Sequence, residues 1–296
     1  MTAQHRPLDP TRKPKSSRIT LLPAVLGAEV LELPGSGRAV FTAQAQGNLS
    51  SVGGEHAEQG LHARERMRKE IGVRYLARGY QVHGTVVCRV LSTGARLLPA
   101  GEPRPKDGPR GSHATPPEAD SEPRASSLEA DSERRASPLE ADSERQPVVE
   151  ADGHAVAVPG VAAMVLTADC IPVVLGADGA VAALHAGWRG LAAGVLQEGV
   201  RAVREVGGKG EVVAIVGPCA GACCYEVGEE VHAAFGGIAR KHRNIDLRTI
   251  AHERLLSAGV DHVHDLEACT ICDERYFSYR REGARAGRQA GLAWLS

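Results

Sequence analysis

A chain of 296 residues with 43% hydrophobic content is long enough for one large domain or two small ones with a substantial core. A net charge of -1 and an aromatic content of 3% supply neither the basic footprint nor the stacking platforms of a nucleic-acid reader. The longest apolar runs are strand-sized, short of the roughly 20 residues that a membrane-spanning helix needs.

From the N-terminus, residues 1–37 read as a tail with a first strand, and residues 38–296 as a single domain. Arg12, Lys13, Lys15 and Arg18 precede an apolar run from Ile19 to Ala28, an order that imitates a signal peptide. Pro23 interrupts the run, Glu29 follows it and no Ala-x-Ala cleavage pattern is present, so export is not expected. Seven cysteines, an odd number in a chain this long, suit a reducing cytoplasm better than a disulfide framework.

Gln81-Val82-His83-Gly84 comes next, ahead of a strand expected over Thr85–Val90. A histidine at a glycine-flanked strand margin is accessible to a ligand. From about 100 to 149 the composition shifts to Pro, Ser, Ala, Glu and Arg, and the segment Glu118–Leu128 returns with few changes as Glu129–Leu139. An eleven-residue period can wind helices into a right-handed supercoil, but one leucine per repeat builds no core. The segment is expected to be a solvated, disordered insert within the domain.

Val161–Leu166 reads as a buried strand that leads into Thr167-Ala168-Asp169-Cys170. Ile171–Leu175 and Ala180–Leu184 are apolar runs on either side of Gly176-Ala177-Asp178-Gly179, which is turn chemistry, so the pair predicts a β-hairpin. With the turn centred on Ala177 and Asp178, Cys170 falls directly opposite His185, their Cβ atoms roughly 4.5–5.5 Å apart. A thiolate and an imidazole so placed can hold one metal ion, zinc first and copper as the redox alternative. A catalytic zinc keeps three protein ligands and one open position, and His83 is the candidate third donor. Without a metal, the same pair is a thiol nucleophile, Cys170, and its activating base, His185.

Beyond the hairpin, Ala186-Gly187-Trp188-Arg189-Gly190 opens a helix expected over Leu191–Val206, where Leu191, Val195, Leu196 and Val203 recur at helical spacing. Glu211–Val216 predicts a strand ended by Gly217-Pro218, and Tyr225–Phe235 and Leu247–Ala258 predict helices. Hairpins mixed with crossover helices imply an α+β domain with a mixed sheet. Cys219, Cys223 and Cys224 read as close backbone packing or the wall of a pocket. His262 and His264 share one strand face, as in copper oxidases, yet one such pair supplies few of the ligands a multicopper site needs. Cys269-Thr270-Ile271-Cys272 has the spacing of a zinc knuckle or redox motif; no second such pair follows, which favours a packed structural role.

Taken together, Gln81–Gly84, Thr167–Pro172, His185–Gly190, Gly217-Pro218-Cys219 with Cys224–Gly228, and Cys269-Thr270 followed by Phe277–Arg280 and Gly287-Arg288-Gln289 resemble the YfiH/YlmD/FAMIN group. That group was long labelled multicopper polyphenol oxidase, or laccase domain. The resemblance covers about Arg38 to the C-terminus outside the insert; Thr42–Gly47 stands where the group has Gly-Gly-Val-Ser, and Ala63-Arg64 where it has Asn-Arg. It implies a four-layer α/β/β/α arrangement with mixed β-sheets, and zinc on His83, Cys170 and His185. The implied activity is that of a purine nucleoside phosphorylase acting on adenosine, inosine, guanosine or S-methyl-5′-thioadenosine, with adenosine deaminase activity. Its partners are then small-molecule nucleosides and phosphate, with no nucleic acid and no membrane. Arg64, Arg189 and Arg280 are candidates for phosphate, because a guanidinium fork matches its oxygens. Asp169 is the candidate proton carrier when a water attacks adenine C6. A copper-dependent polyphenol oxidase and a Cys–His thiol hydrolase are the alternatives.

Overall fold

A computed structural model describes residues 20–50, 54–91 and 149–296. The repeat and almost all of the insert expected at 100–149 lie outside the described residues. The described chain is α+β, built on two large mixed sheets. The first sheet has the order β1 (Leu21–Val25), β2 (Ala28–Glu32), β3 (Gly37–Phe41), β14 (Gln289–Leu295), β7 (Val161–Thr167) and β4 (Tyr75–Ala77). The second runs β13 (His262–Asp265), β10 (Lys209–Val216), β8 (Ile171–Asp178), β9 (Ala180–Ala186), β6 (Gly153–Val156) and β5 (Val87–Val90). Three pairs are parallel, β4 with β7, β5 with β6 and β10 with β13, and the remaining neighbours in both sheets are antiparallel.

β8 and β9 are apolar along nearly their whole length, the pattern of strands covered on both faces. Val174, Val181 and Ala183 point toward the first sheet and pack with Ala39, Ala163 and Ala293. Val173, Leu175 and Leu184 point the other way, into a core shared with helices α3 (Val195–Glu205) and α5 (Leu247–Ser257). A third core covers the outer face of the first sheet, where Ala63 and Met67 of α1 (Gly54–Glu70) meet Val40, Met164 and Leu292.

The expected hairpin forms, with a different register. Ala177 pairs with Ala180 and Pro172 with His185, so the turn is Asp178-Gly179 rather than Ala177-Asp178. Gly179, the second turn residue, takes a positive φ of 79° while Asp178 does not, as in a type II turn, and glycine bears that conformation without strain. His185 therefore stands directly across from Pro172, with Cys170 on the diagonal; the shift is two residues, so both keep the same face. The helix expected over Leu191–Val206 divides into α2 (Trp188–Ala193) and α3, because Gly194 sits between them at φ 101°. The helix expected over Tyr225–Phe235 shortens to α4 (Glu229–Ala234): Glu226 instead bridges Asn244 of a two-stranded ribbon, β11 (Arg240–Lys241) and β12 (Asn244–Ile245). A last short helix, α6 (Tyr279–Glu282), begins at Ser278, whose side chain caps it through the Arg281 N–H.

Candidate metal centre

His83, Cys170 and His185 converge. Cys170 ends the loop from β7 to β8, His185 lies near the end of β9, and His83 sits in the loop between β4 and β5. Their ligand atoms all lie within 4.8 Å of one another. His83 Nε2 is 3.7 Å from Cys170 Sγ, and the two imidazole rings meet edge-on with centroids 4.8 Å apart. Zinc bonds of about 2.3 Å to sulfur and 2.0–2.1 Å to nitrogen, at a tetrahedral angle, place the two donors about 3.6 Å apart. The donor set and its spacing fit zinc.

One residue organises both histidines, and the sequence reading passed over it. Asp152 is fully buried just before β6, in register with His185, whose backbone N–H donates to the Asp152 carbonyl at 2.7 Å. Its Oδ1 accepts from His185 Nδ1 at 2.8 Å and from the His83 N–H at 2.9 Å. Its Oδ2 accepts from the N–H groups of Gly84 at 2.7 Å and Val82 at 3.2 Å. A carboxylate only accepts, so the His185 proton sits on Nδ1 and Nε2 is left free for a ligand. The same carboxylate holds His83 at φ 61°, a left-handed conformation that a non-glycine residue keeps only when its surroundings impose it. Burial would raise the Asp152 pKa, but the His185 hydrogen bond and the Gly84 and Val82 N–H groups hold it below the usual carboxylate range.

Gly187 explains part of the His-Ala-Gly-Trp-Arg-Gly motif. A Cβ there would lie 2.4 Å from His83 Cδ2 and 3.3 Å from Cys170 Sγ, so only glycine lets the His83 ring settle over the backbone. In the metal-free chain, burial pushes the Cys170 thiol up, yet the His185 imidazolium and hydrogen bonds from His185 and His83 bring it down to about 6. Burial pushes His185 down, but the Cys170 thiolate and Asp152 raise it to about 9. Both shifts favour the thiolate–imidazolium form of the pair in the metal-free chain.

The centre opens into a cavity of about 380 Å³. His83, Cys170 and His185 line it together with Asp169, Thr167, Tyr225, Arg280 and Arg288. Of the three expected arginines, only Arg280 lines it; its Nη1 donates to the Glu226 carbonyl at 2.8 Å and its guanidinium lies 4.8 Å from the Tyr225 ring centre. Arg189 is exposed and stacks on Trp188 at 4.3 Å. Arg64 is buried and donates to the Leu49 and Ser50 carbonyls, which places it behind the Ser50 wall. Arg288, in a motif already noted, is a cavity arginine that sequence reasoning did not single out. Thr167 was likewise missed: it lines the cavity, with its hydroxyl buried and without a hydrogen-bond partner among the described residues. Asp169 uses both oxygens, Oδ1 accepting from the Thr270 hydroxyl and Oδ2 from the Arg280 N–H, each at 2.7 Å. His262 and His264 lie on β13 and do not line this cavity.

Residues 35–296 match the family described as multi-copper polyphenol oxidoreductase laccase. The chain belongs to that family. It is 43% identical over 161 residues to a protein of Xylella fastidiosa named purine nucleoside phosphorylase, an alignment that covers 49% of this chain and 61% of that protein. It is 38% identical over 158 residues to purine nucleoside phosphorylase YfiH of Escherichia coli, covering 49% and 64%. The chain therefore spans less than two thirds of the length of these relatives. Among solved structures, a Neisseria meningitidis protein superposes with a TM-score of 0.64 at 26% identity, covering 91% of this chain and 99% of that one. YlmD from Geobacillus stearothermophilus shares the fold, with a TM-score of 0.64 at 21% identity and coverage of 90% and 96%. The resemblance to the YfiH and YlmD group read from the motifs is met by these family relationships.

Proposed function

We propose that the protein is a zinc-dependent purine nucleoside phosphorylase that also deaminates adenosine in the same pocket. The observation that carries this reading is the convergence of His83, Cys170 and His185 on one point in a cavity that Arg280 and Arg288 also line. His83, Cys170 and His185 would hold the zinc, which when bound would supply a Lewis acid. The names of the relatives, purine nucleoside phosphorylase, support the reaction class.

In phosphorolysis a phosphate oxygen bonds to C1′, the bond from C1′ to the purine nitrogen breaks, and the base leaves with the electron pair. Arg280 and Arg288 are the groups placed to hold phosphate and to offset its charge. Asp169 fixes the start of α6, and with it Arg280, through the Arg280 N–H; we assign it to positioning, because its two oxygens already accept hydrogen bonds. The three cores support the four-layer α/β/β/α stacking, and seven free cysteines support a cytoplasmic setting. No helix among the described residues is long and apolar enough to cross a membrane.

Metal-analysed protein incubated with adenosine and phosphate should release adenine and ribose 1-phosphate, with inosine as the mark of deamination; zinc-loaded protein that forms none of these refutes the proposal. One rival has its own support: Cys170, His185 and Asp152 line up as nucleophile, base and orienting acid. Metal-free protein with full turnover, inactivated by alkylation of Cys170, would favour that thiol hydrolase. The family description keeps a copper-dependent phenol oxidase in view; zinc-only protein that is active on nucleosides and inert toward phenols sets it aside.

A further inference from the structure

The motifs that the pocket leaves over are cysteines, and the fold gathers four of them. The loop after β10 carries Cys223 and Cys224, and the loop after β13 carries Cys269 and Cys272. Their four sulfurs all lie within 4.8 Å of one another. Cys272 Sγ is 2.9 Å from Cys224 Sγ and 3.4 Å from Cys223 Sγ. A tetrahedron of sulfurs bonded to zinc at about 2.3 Å has edges of about 3.8 Å, within the spread seen here.

From these positions we infer a second, structural metal site, in which Cys223, Cys224, Cys269 and Cys272 bind one zinc ion.

Sequence spacing hid this site, because the second half is not a Cys-x-x-Cys pair. Adjacent side chains normally diverge, but residues 222–224 form a turn in which the N–H groups of Cys224 and Tyr225 both return to the Gly221 carbonyl, at 3.0 and 2.9 Å. That turn swings Cys223 and Cys224 to one side. On the other loop, Cys269 Sγ accepts the Gly221 N–H at 3.2 Å and the N–H groups of Ile271 and Cys272, the wrapping expected around a thiolate ligand. The loops are already laced together: Cys219 and Cys269 form a parallel bridge, with Thr270 N–H donating to the Cys219 carbonyl at 3.0 Å. Four soft sulfurs in a closed set select zinc among the abundant divalent ions, whereas a disulfide would use two and strand the others. Binding forms four zinc–sulfur bonds and releases the thiol protons to solvent, with no change of oxidation state.

The site also has a purpose that its position supplies. Tyr225, next to Cys224, lines the cavity; Thr270, next to Cys269, donates to Asp169; and Arg280 follows eight residues after Cys272. Zinc here would clamp the two loops that lead to Tyr225 and Arg280 in the pocket wall, while none of the four cysteines lines the cavity.

Metal stoichiometry separates this site from the His83 centre. Purified Cys170→Ala protein should retain about one zinc per chain, and adding Cys269→Ser and Cys272→Ser should remove it. Cobalt-substituted Cys170→Ala should show the intense thiolate-to-metal charge-transfer bands of a sulfur-only tetrahedral set. In the otherwise unaltered chain, Cys269→Ser with Cys272→Ser should lower the melting temperature and raise KM for nucleoside while one zinc remains. Cys170→Ala protein free of metal, protein that holds red mononuclear iron in its place, or an intact mass under non-reducing conditions that shows a disulfide among the four, each overturns the assignment. If the unaltered chain binds a single zinc and Cys170→Ala still binds it, the His83 centre fails and this site stands.

Discussion

Replacing Asp152 by asparagine tests the central geometry with almost no change of shape. The carboxylate accepts four hydrogen bonds, from His185 Nδ1 and the N–H groups of Val82, His83 and Gly84. An amide has one accepting oxygen. If that oxygen keeps His185 and His83, the new NH₂ faces the Val82 and Gly84 donors, and two part-buried N–H groups lose their partner. A fully buried unsatisfied donor costs about 1–3 kcal/mol, and partial exposure lowers that, so Asp152→Asn should destabilise by roughly 1–3 kcal/mol in all. For a domain of this size that is a fall in Tm of at least ~2 °C. Losing the group that orients a metal-bound histidine typically weakens metal binding about 10- to 100-fold. Both readouts come from one protein: competition with a chelator gives zinc affinity, and calorimetry gives Tm. Unchanged zinc affinity with a lowered Tm would refute the claim that Asp152 organises the ligands, and would reduce it to a fold residue.

Further outcomes follow from the same site. In metal-stripped protein, iodoacetamide should modify Cys170 at a rate that is full well above pH 6 and falls as pH drops through about 6, since the lowered pKa keeps the thiolate down to that point; zinc should protect it, and a midpoint near 9.0, the ordinary thiol value, refutes the ion pair. Gly187→Ala should displace His83 and cut zinc affinity about tenfold or more while Tm moves little, because the clash falls on a side chain at an exposed loop; equal zinc affinity refutes the packing argument. Arg280→Ala and Arg288→Ala should each raise KM for phosphate about 10- to 100-fold with zinc content unchanged, as loss of a charged hydrogen bond predicts, whereas Arg189→Ala should leave it alone. A phosphate KM that responds only to Arg189 would move the anion site outside the cavity.

The three residues proposed as ligands were legible in the sequence because each sits beside short-range signals: glycines that release the backbone, apolar runs that fix strands, and a turn that sets a hairpin. Asp152 carries no such signal. It stands before a short strand whose neighbour is known only from the register of β6 with β9, a pairing of residues about thirty apart in the chain. The Cys223, Cys224, Cys269, Cys272 cluster was illegible for the same reason, since its halves meet through the parallel pairing of β10 with β13 and the Cys219–Cys269 bridge that extends it. The arginines show the limit of residue type as a guide: three were chosen for their charge, but a buried guanidinium such as that of Arg64 satisfies backbone carbonyls, and Arg189 stacks on its neighbour Trp188.

The register of the hairpin shows why Cys170 and His185 still converge despite a wrong turn. Centring the turn on Ala177 and Asp178 put Cys170 directly opposite His185; the real turn, Asp178-Gly179, shifts every pairing by two residues. Side chains alternate faces with a period of two, so an even shift changes the partner but not the face. Cys170, Pro172 and Val174 share parity on one strand, Val181, Ala183 and His185 on the other, and Val174, Val181 and Ala183 all pack toward the first sheet. An odd shift would instead have sent His185 into the core of Leu184 and Val173, where a polar ring has no hydrogen-bond partner and no route to a cavity. The face on which chemistry occurs is fixed by the alternation of apolar residues, while the distance between the ligands is fixed by the turn. That division makes the diagonal placement of Cys170 useful: it leaves space beside His185 for a third ligand, and the loop that Asp152 holds brings His83 into it.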